Sequence, residues 1–220
     1  MLAHYDAVLE SLEKGACGYD SIYLDFSKAF DKVDHGVLLH KVRDLGIGGK
    51  LGVWLAKFLS DRYQAVACDG HISTKSLVTS GVPQGTVLGP ILFLIHILDI
   101  SDGVSDGTRV SSFADDTRVS RGMKTSADPV QLQEDLKTIY AWAERVNMSF
   151  NSDKFECIRY WPNQDIGTVF CSEFPYKDED GNIIEEKADL KDLGVQMSDD
   201  LTLVNISIKL PHSAGNWHNG

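Results

Sequence analysis

The chain has 220 residues, 43% of them hydrophobic and 24% charged. That balance fits one globular domain or two small ones and excludes a disordered chain. The net charge of −11 excludes a generic basic nucleic-acid binder. The acidity is uneven: residues 20–160 carry 16 Lys and Arg against 18 Asp and Glu, whereas residues 161–220 carry 4 against 11. The longest apolar stretch, Val87 to Ile100, is broken by Pro90, His96 and Asp99, which excludes a membrane span. No charged-then-apolar leader opens the chain. Cys17, Cys68, Cys157 and Cys171 form no CxxC pair and have no zinc spacing, so they read as reduced, intracellular thiols.

Residues 1–14 set Tyr5, Val8, Leu9 and Leu12 at helical spacing, with Gly15 as the stop. The chain begins inside this helix, as the edge of a fragment would. Tyr19 to Phe26 reads as a strand whose buried run, Ile22-Tyr23-Leu24, ends at Asp25. Asp25 is either a site residue at the strand end or a helix N-cap. Helices follow at Val37–Leu45 and Leu51–Leu59, the second with Leu51, Trp54, Leu55, Phe58 and Leu59 on one face. Tyr63–Cys68 and Thr74–Thr79 read as two strands joined through Asp69-Gly70.

Ser80 to Pro90 holds three glycines and two prolines and reads as a loop. It lacks the Lys-Ser/Thr ending of a phosphate-binding P-loop. Ile91–Ile97 then reads as a buried helix with Pro90 in its first turn. Val110 to Val119 is written as a tight β-hairpin with Asp115 and Asp116 at its tip. Alone, such a tip reads first as a solvated turn, because Asp favours turns for its own hydrogen-bonding reasons.

Asp128, as N-cap, and Pro129 open a long helix with Val130, Leu132, Leu136, Ile139, Tyr140 and Trp142 as its apolar face. Met148–Lys154 reads as a loop and Phe155–Trp161 as a strand. Val169–Tyr176 and Asn182–Glu185 suggest two strands around Asp180-Gly181, and Leu190–Val195 one more. From Thr202 the periodicity is lost.

A strand ending in Asp25 beside a hairpin carrying Asp115 and Asp116 would bring three carboxylates to one sheet edge. Clustered acids repel unless a cation is present. Oxygen ligands with few neutral partners suit Mg²⁺, which keeps waters and recruits substrate phosphates. Two such ions about 4 Å apart support nucleotidyl transfer.

Three segments together carry a family resemblance: Tyr23-Leu24-Asp25-Phe26-Ser27-Lys28-Ala29-Phe30-Asp31, Gly81-Val82-Pro83-Gln84-Gly85-Thr86-Val87-Leu88-Gly89-Pro90 and Phe113-Ala114-Asp115-Asp116. In this order and spacing they resemble motifs A, B and C of reverse transcriptases, of the non-LTR (LINE-type) retrotransposon kind, over roughly residues 5–200. The resemblance implies an RNA-directed DNA polymerase that takes an RNA template, a DNA primer and dNTPs, with two Mg²⁺ ions or Mn²⁺ in their place. Asp25, Asp115 and Asp116 would be the metal ligands. Phe30 would be the steric gate beneath the incoming sugar, with Phe26, Pro83, Gln84 and Gly85 also on the substrate side. Lys154 matches motif D, where a lysine protonates or steadies the pyrophosphate. Leu193-Gly194-Val195 resembles the primer-grip hairpin of motif E.

The expected architecture is α+β: a palm-type antiparallel sheet covered on one face by helices. The expected division is a residual fingers or lead-in helix at 1–18, a palm at 19–200 and an irregular tail at 201–220. Fingers upstream and a thumb downstream are expected to be incomplete. A catalytically dead remnant that at most binds nucleic acid or a partner is therefore the alternative to an active enzyme. A nucleotide cyclase is a further alternative, disfavoured by Phe30 and the Val82–Gly85 loop. No membrane partner is expected, and the expected location is intracellular, in nucleus or cytoplasm.

Overall fold

The structure, a computed structural model, describes residues 2–161 and 174–201. Helix α1 (Leu2–Glu13) leads into strand β1 (Gly18–Asp25), then helices α2 (His35–Asp44) and α3 (Gly49–Leu59). Four two-residue strands follow: β2 (Tyr63–Gln64), β3 (Ala67–Cys68), β4 (His71–Ile72) and β5 (Ser76–Leu77). Next come α4 (Leu88–His96), β6 (Thr108–Phe113), β7 (Asp116–Met123) and α5 (Asp128–Arg145). A 3₁₀ turn at Ser152–Lys154 precedes β8 (Glu156–Tyr160), the short β9 (Glu185–Glu186), and the hairpin β10 (Asp189–Asp192) and β11 (Val195–Ser198).

β1 is the central strand of a five-stranded sheet in the order β6-β7-β1-β8-β9. Its pairings with β7 and β8 are antiparallel, as is β6 with β7; only β9 joins parallel. Side chains alternate between the two faces with period two. On the first face Ile22, Leu24, Val119, Met123 and Cys157 join a core with Leu38, Leu55, Phe93 and Trp142 from α2, α3, α4 and α5. On the second, Tyr19, Ile158 and Tyr160 pack against Ala7 and Val8 of α1 and Leu190 and Met197 of the β10–β11 hairpin. The expected palm-type sheet with helices on one face is present, and its second face is covered as well.

Along α5, Leu132, Leu136, Ile139, Trp142 and Ala143 are essentially inaccessible, each large side chain contributing about 1.5–3 kcal/mol of burial. Three details of that helix differ from expectation. Val130 is half exposed. Asp135 is buried instead, accepting from the Ser105 amide at 2.9 Å and hydroxyl at 2.7 Å and from Thr108 Oγ1 at 2.5 Å. Ala127, not Asp128, is the cap position; Asp128 is inside the first turn, where it accepts from the Thr125 amide at 2.7 Å and Arg121 Nε at 3.0 Å.

Other elements shift too. α1 buries His4, Ala7 and Val8 rather than Leu9, because the face it meets is lined by Tyr19 and Ser21, to which small and polar side chains fit. α3 buries Leu55 and Leu59 but leaves Leu51 and Trp54 half exposed. α4 buries Leu92, Phe93 and His96 while Ile91 and Leu94 face outward, so it is half buried rather than enclosed. The two strands expected at 63–79 are four short ones nested about Asp69-Gly70, β2 with β5 and β3 with β4. Leu190–Val195 is not one strand: Leu193 and Gly194 adopt positive φ and fold it into the β10–β11 hairpin. Asn182–Glu185 contributes an isolated bridge, Lys177 to Ile183, and the start of β9. The expected strand from Val169 lies outside the described residues as far as 173, and so does the tail from Thr202.

Candidate active site

β6 and β7 are joined by Ala114 and Asp115 alone, with Phe113 paired to Asp116. A two-residue connection needs left-handed backbone, and Ala114 supplies it at φ +53°. A non-glycine residue there is strained on the order of 1 kcal/mol. This tight turn fixes the β6–β7 register; on its other edge β7 pairs with β1, with Asp25 directly opposite Asp116 and Tyr23 opposite Arg118. Opposed residues of an antiparallel pair project to the same face, with Cβ atoms about 4.5–5.5 Å apart. The Asp116 carboxyl is held above its ordinary pKa, first by partial burial, then by the negative charges of Asp115, Asp25 and Asp192, with Lys154 acting the other way.

Lys154 reaches this cluster because its loop is stitched to the strand end. The Ser27 amide donates to Ser149 O at 2.9 Å and the Asn151 amide to Asp25 O at 2.8 Å, and Phe26 bridges Phe150. Lys154 Nζ then donates to Asp25 Oδ2 at 3.0 Å. That bond raises the ammonium pKa. Lys154 is well exposed and Asp25 only partly so, at 62% and 20%, so the contact is open to water and to competing cations.

One rung below lie Tyr23 and Arg118. Arg118 is nearly buried, ion-paired with Asp192 of β10, and its guanidinium lies 5.5 Å from the Tyr23 ring centre. The hairpin is thereby anchored next to the carboxylates. Sequence reasoning missed this pair: its partners are 74 residues apart, and no local pattern connects them.

On the helical side, Phe30 stacks on Phe93 of α4 at 4.7 Å and is only partly buried. Phe26 is a core residue at 2% exposure, stacked on Phe150 at 4.5 Å, so its ring supports the strand end from beneath. The loop before α4 lies over the 28–31 turn. Gln84 Nε2 donates to Asp31 Oδ1 at 3.1 Å, and Thr86 Oγ1 donates to Pro83 O at 2.7 Å and accepts from the Gly89 amide at 3.1 Å. A groove of ≈ 800 Å³ runs between that turn, this loop and the β2–β5 ribbon; Lys28, Asp31, Arg62, Pro83 and Gln84 line it.

Among the described residues no three His, Cys, Asp or Glu side chains are gathered closely enough to hold an ion by themselves. The donors at the sheet edge are nonetheless all carboxylate oxygens, suited to a hard cation that completes its shell with water and phosphate. Partial burial, then the charges of Asp115, Asp25 and Asp192, raise the Asp116 pKa against the opposing pull of Lys154. The donor set therefore fits divalent metal. No helix among the described residues is long and apolar enough to cross a membrane.

A central antiparallel sheet with carboxylates on a hairpin, backed by helices, defines the chain as a polymerase-type palm. Residues 11–197 match the family model "Reverse transcriptase (RNA-dependent DNA polymerase)". The chain belongs to the reverse transcriptase family, in its non-LTR retrotransposon branch. It is 30% identical over 216 residues to the RNA-directed DNA polymerase from mobile element jockey of Drosophila funebris, covering 93% of this chain and 22% of that protein. It is 27% identical over 162 residues to the Pol polyprotein from type-1 retrotransposable element R2 of Popillia japonica, covering 70% of this chain and 26% of that protein. The chain thus spans about a quarter of the relatives it matches or less. In fold it resembles the telomerases of Candida tropicalis, in apo form (TM-score 0.61, 13% identity, 92% of this chain and 38% of that one), and of Candida albicans (TM-score 0.62, 13% identity, 90% and 33%).

Proposed function

We propose that this chain is the palm that carries RNA-templated DNA synthesis, adding deoxynucleotides to a primer 3′-hydroxyl. The observation that carries the proposal is the register: Asp25 opposite Asp116, Asp115 in the adjoining turn, and Lys154 on Asp25. Asp25, Asp115 and Asp116 are the residues that would hold two Mg²⁺ ions, or Mn²⁺. When bound, such ions activate the attacking hydroxyl and neutralise the leaving pyrophosphate. Lys154 would give its proton to, or steady, the departing phosphate. Phe30, fixed by its stack on Phe93, would stand beneath the sugar and disfavour a 2′-hydroxyl. Pro83, Gln84 and Gly85 would border the nucleotide and template, with Phe26 acting through the backbone of Asp25. RNA template, DNA primer and dNTP are the partners this chemistry requires.

The test is primer extension on an RNA template with Mg²⁺ or Mn²⁺. The wild-type chain should extend, and Asp115→Ala should lose roughly a thousandfold or more, the scale of several kcal/mol of transition-state charge stabilisation. No extension by a folded wild-type chain would overturn the proposal and leave a non-catalytic member of the family.

A further inference from the structure

The Gly81 peptide, at the start of the loop before α4, is held from four directions. Its backbone takes φ +84°, and a Cβ there would lie 2.8 Å from Asp31 O and 2.9 Å from Phe30 O, so only glycine fits against the 30–31 turn. Its amide donates to Val33 O at 2.8 Å, and the Val82 amide donates to Phe30 O at 2.8 Å. Its carbonyl accepts from Arg62 Nη2 at 2.9 Å and from His35 Nε2 at 2.8 Å. A carbonyl oxygen has two lone pairs, and both are engaged here. Because a carbonyl only accepts, His35 must carry its proton on Nε2.

The two donors come from separate segments of the chain. His35 is the first residue of α2, whose N-cap Asp34 accepts from the Val37 amide at 2.9 Å. Arg62 sits between α3 and β2, its Nε donating to Leu59 O at 3.0 Å. The guanidinium thus bridges the end of α3 to the loop carbonyl. Three residues on, Gln84 meets Asp31 at 3.1 Å across the groove. A rotation of the Gly81 peptide would propagate directly to Pro83 and Gln84.

We propose that Arg62 and His35 are positioning residues that jointly lock the Gly81 peptide plane and so aim the Pro83–Gly85 edge at the incoming nucleotide, a role that rests on the polymerase function proposed above. Neither side chain needs to touch substrate. His35 donates from the start of α2 and Arg62 from the segment just after α3, so the loop is registered to the α2–α3 layer as well as to the 30–33 turn.

Amide hydrogen exchange over residues 80–86, read beside thermal melting, tests the lock without requiring catalysis. Arg62→Ala should speed exchange of the Gly81 and Val82 amides roughly tenfold, the worth of one lost hydrogen bond, with α5 unaffected. His35→Ala should act likewise, and His35→Gln, which keeps a donor, should recover most of the protection. In primer extension the two alanine variants should raise the KM for dNTP more than they lower kcat, with His35→Gln close to wild type. Unchanged exchange at Gly81 and Val82, or acceleration spread equally over α2 and α5, would overturn the inference. So would a fall in kcat at constant KM. Should the wild-type chain not extend primers, the polymerase proposal fails on its own, and the exchange arm still decides whether Arg62 and His35 lock the loop.

Discussion

β1 carries two aspartates five residues apart, and their surroundings differ in every respect. Asp20 projects to the helical face, fully buried; it accepts from Tyr176 Oη at 2.7 Å and Trp161 Nε1 at 3.3 Å, and Arg159 stands opposite it on β8. Asp25 projects to the other face, partly exposed, across from another carboxylate. The protein gives Asp20 its own donors and ties the segment after residue 174 to the sheet through them. At Asp25 the cation in contact is the exposed Lys154, with Asp115 and Asp116 close by. One end of the strand is built for stability; at the other, like charges are brought together, as the proposed cation and substrate site would require.

The largest expected contrast comes from alanine at the two positions. Asp20→Ala removes an acceptor from Tyr176 and Trp161 and a charge from beside buried Arg159. It should cost about 3–5 kcal/mol, the scale for breaking a buried charged network, read as a fall in denaturation midpoint. Asp25→Ala should leave the midpoint nearly unchanged, since its contact with Lys154 is largely exposed, while abolishing extension. Equal loss of stability at both positions would erase the distinction between the two ends.

Next in size is Lys154→Met. Extension should fall about 10²-fold, at the low end for a positioned acid, with the melting temperature unmoved. A rate within twofold of wild type would reduce Lys154 to a solvated loop residue.

The two ends also differ in how legible they were in the sequence. The carboxylate end could be foreseen because its signals are local: a β-prone run stopping at Asp25 and a hairpin pattern around Asp115-Asp116. Strand parity would also have separated Phe26 from Asp25, since neighbours on a strand face opposite sides; the family pattern drew it toward the substrate, and the core holds it instead. The Asp20 end was not foreseeable, because its partners Arg159, Trp161 and Tyr176 lie some 140–156 residues away. The Arg118–Asp192 pair and the grip of Arg62 and His35 on Gly81 were hidden for the same reason. α4 looked enclosed because its run is apolar all round, whereas Ile91 and Leu94 face outward; in α3 the apolar face read from the sequence is wider than the contact it makes, so Leu51 and Trp54 stay half exposed.

A pH series sharpens the contrast at Asp20. Burial, the dominant effect, pushes its carboxyl up to about 6 from an ordinary 3.8, against the pull of Arg159, Tyr176 and Trp161. The folded state therefore holds this proton more tightly than the unfolded one. The resulting stability is fully present below pH about 4 and is lost as pH rises to about 6. Asp20→Asn cannot titrate. The melting temperature of wild type relative to Asp20→Asn should fall across that window, and a constant difference would mean that Asp20 is ionised throughout.

The smallest effect is the most telling about the other end. The Asp116 carboxyl is also raised, by partial burial and by Asp115, Asp25 and Asp192. Its ionisation above the ordinary carboxylate range is therefore a net cost to the folded state. Asp116→Asn keeps the shape and removes that cost, so it should stabilise the chain at pH 7 while impairing extension. Because the group is mostly solvated, screening limits the gain to well under about 1 kcal/mol. Mg²⁺ should narrow the difference, since an ion that binds only the folded wild-type site stabilises it by mass action and has one ligand fewer in the variant. A melting temperature that falls in Asp116→Asn without metal would mean that Lys154 already compensates the cluster, and that the carboxylate end is no more strained than the Asp20 end.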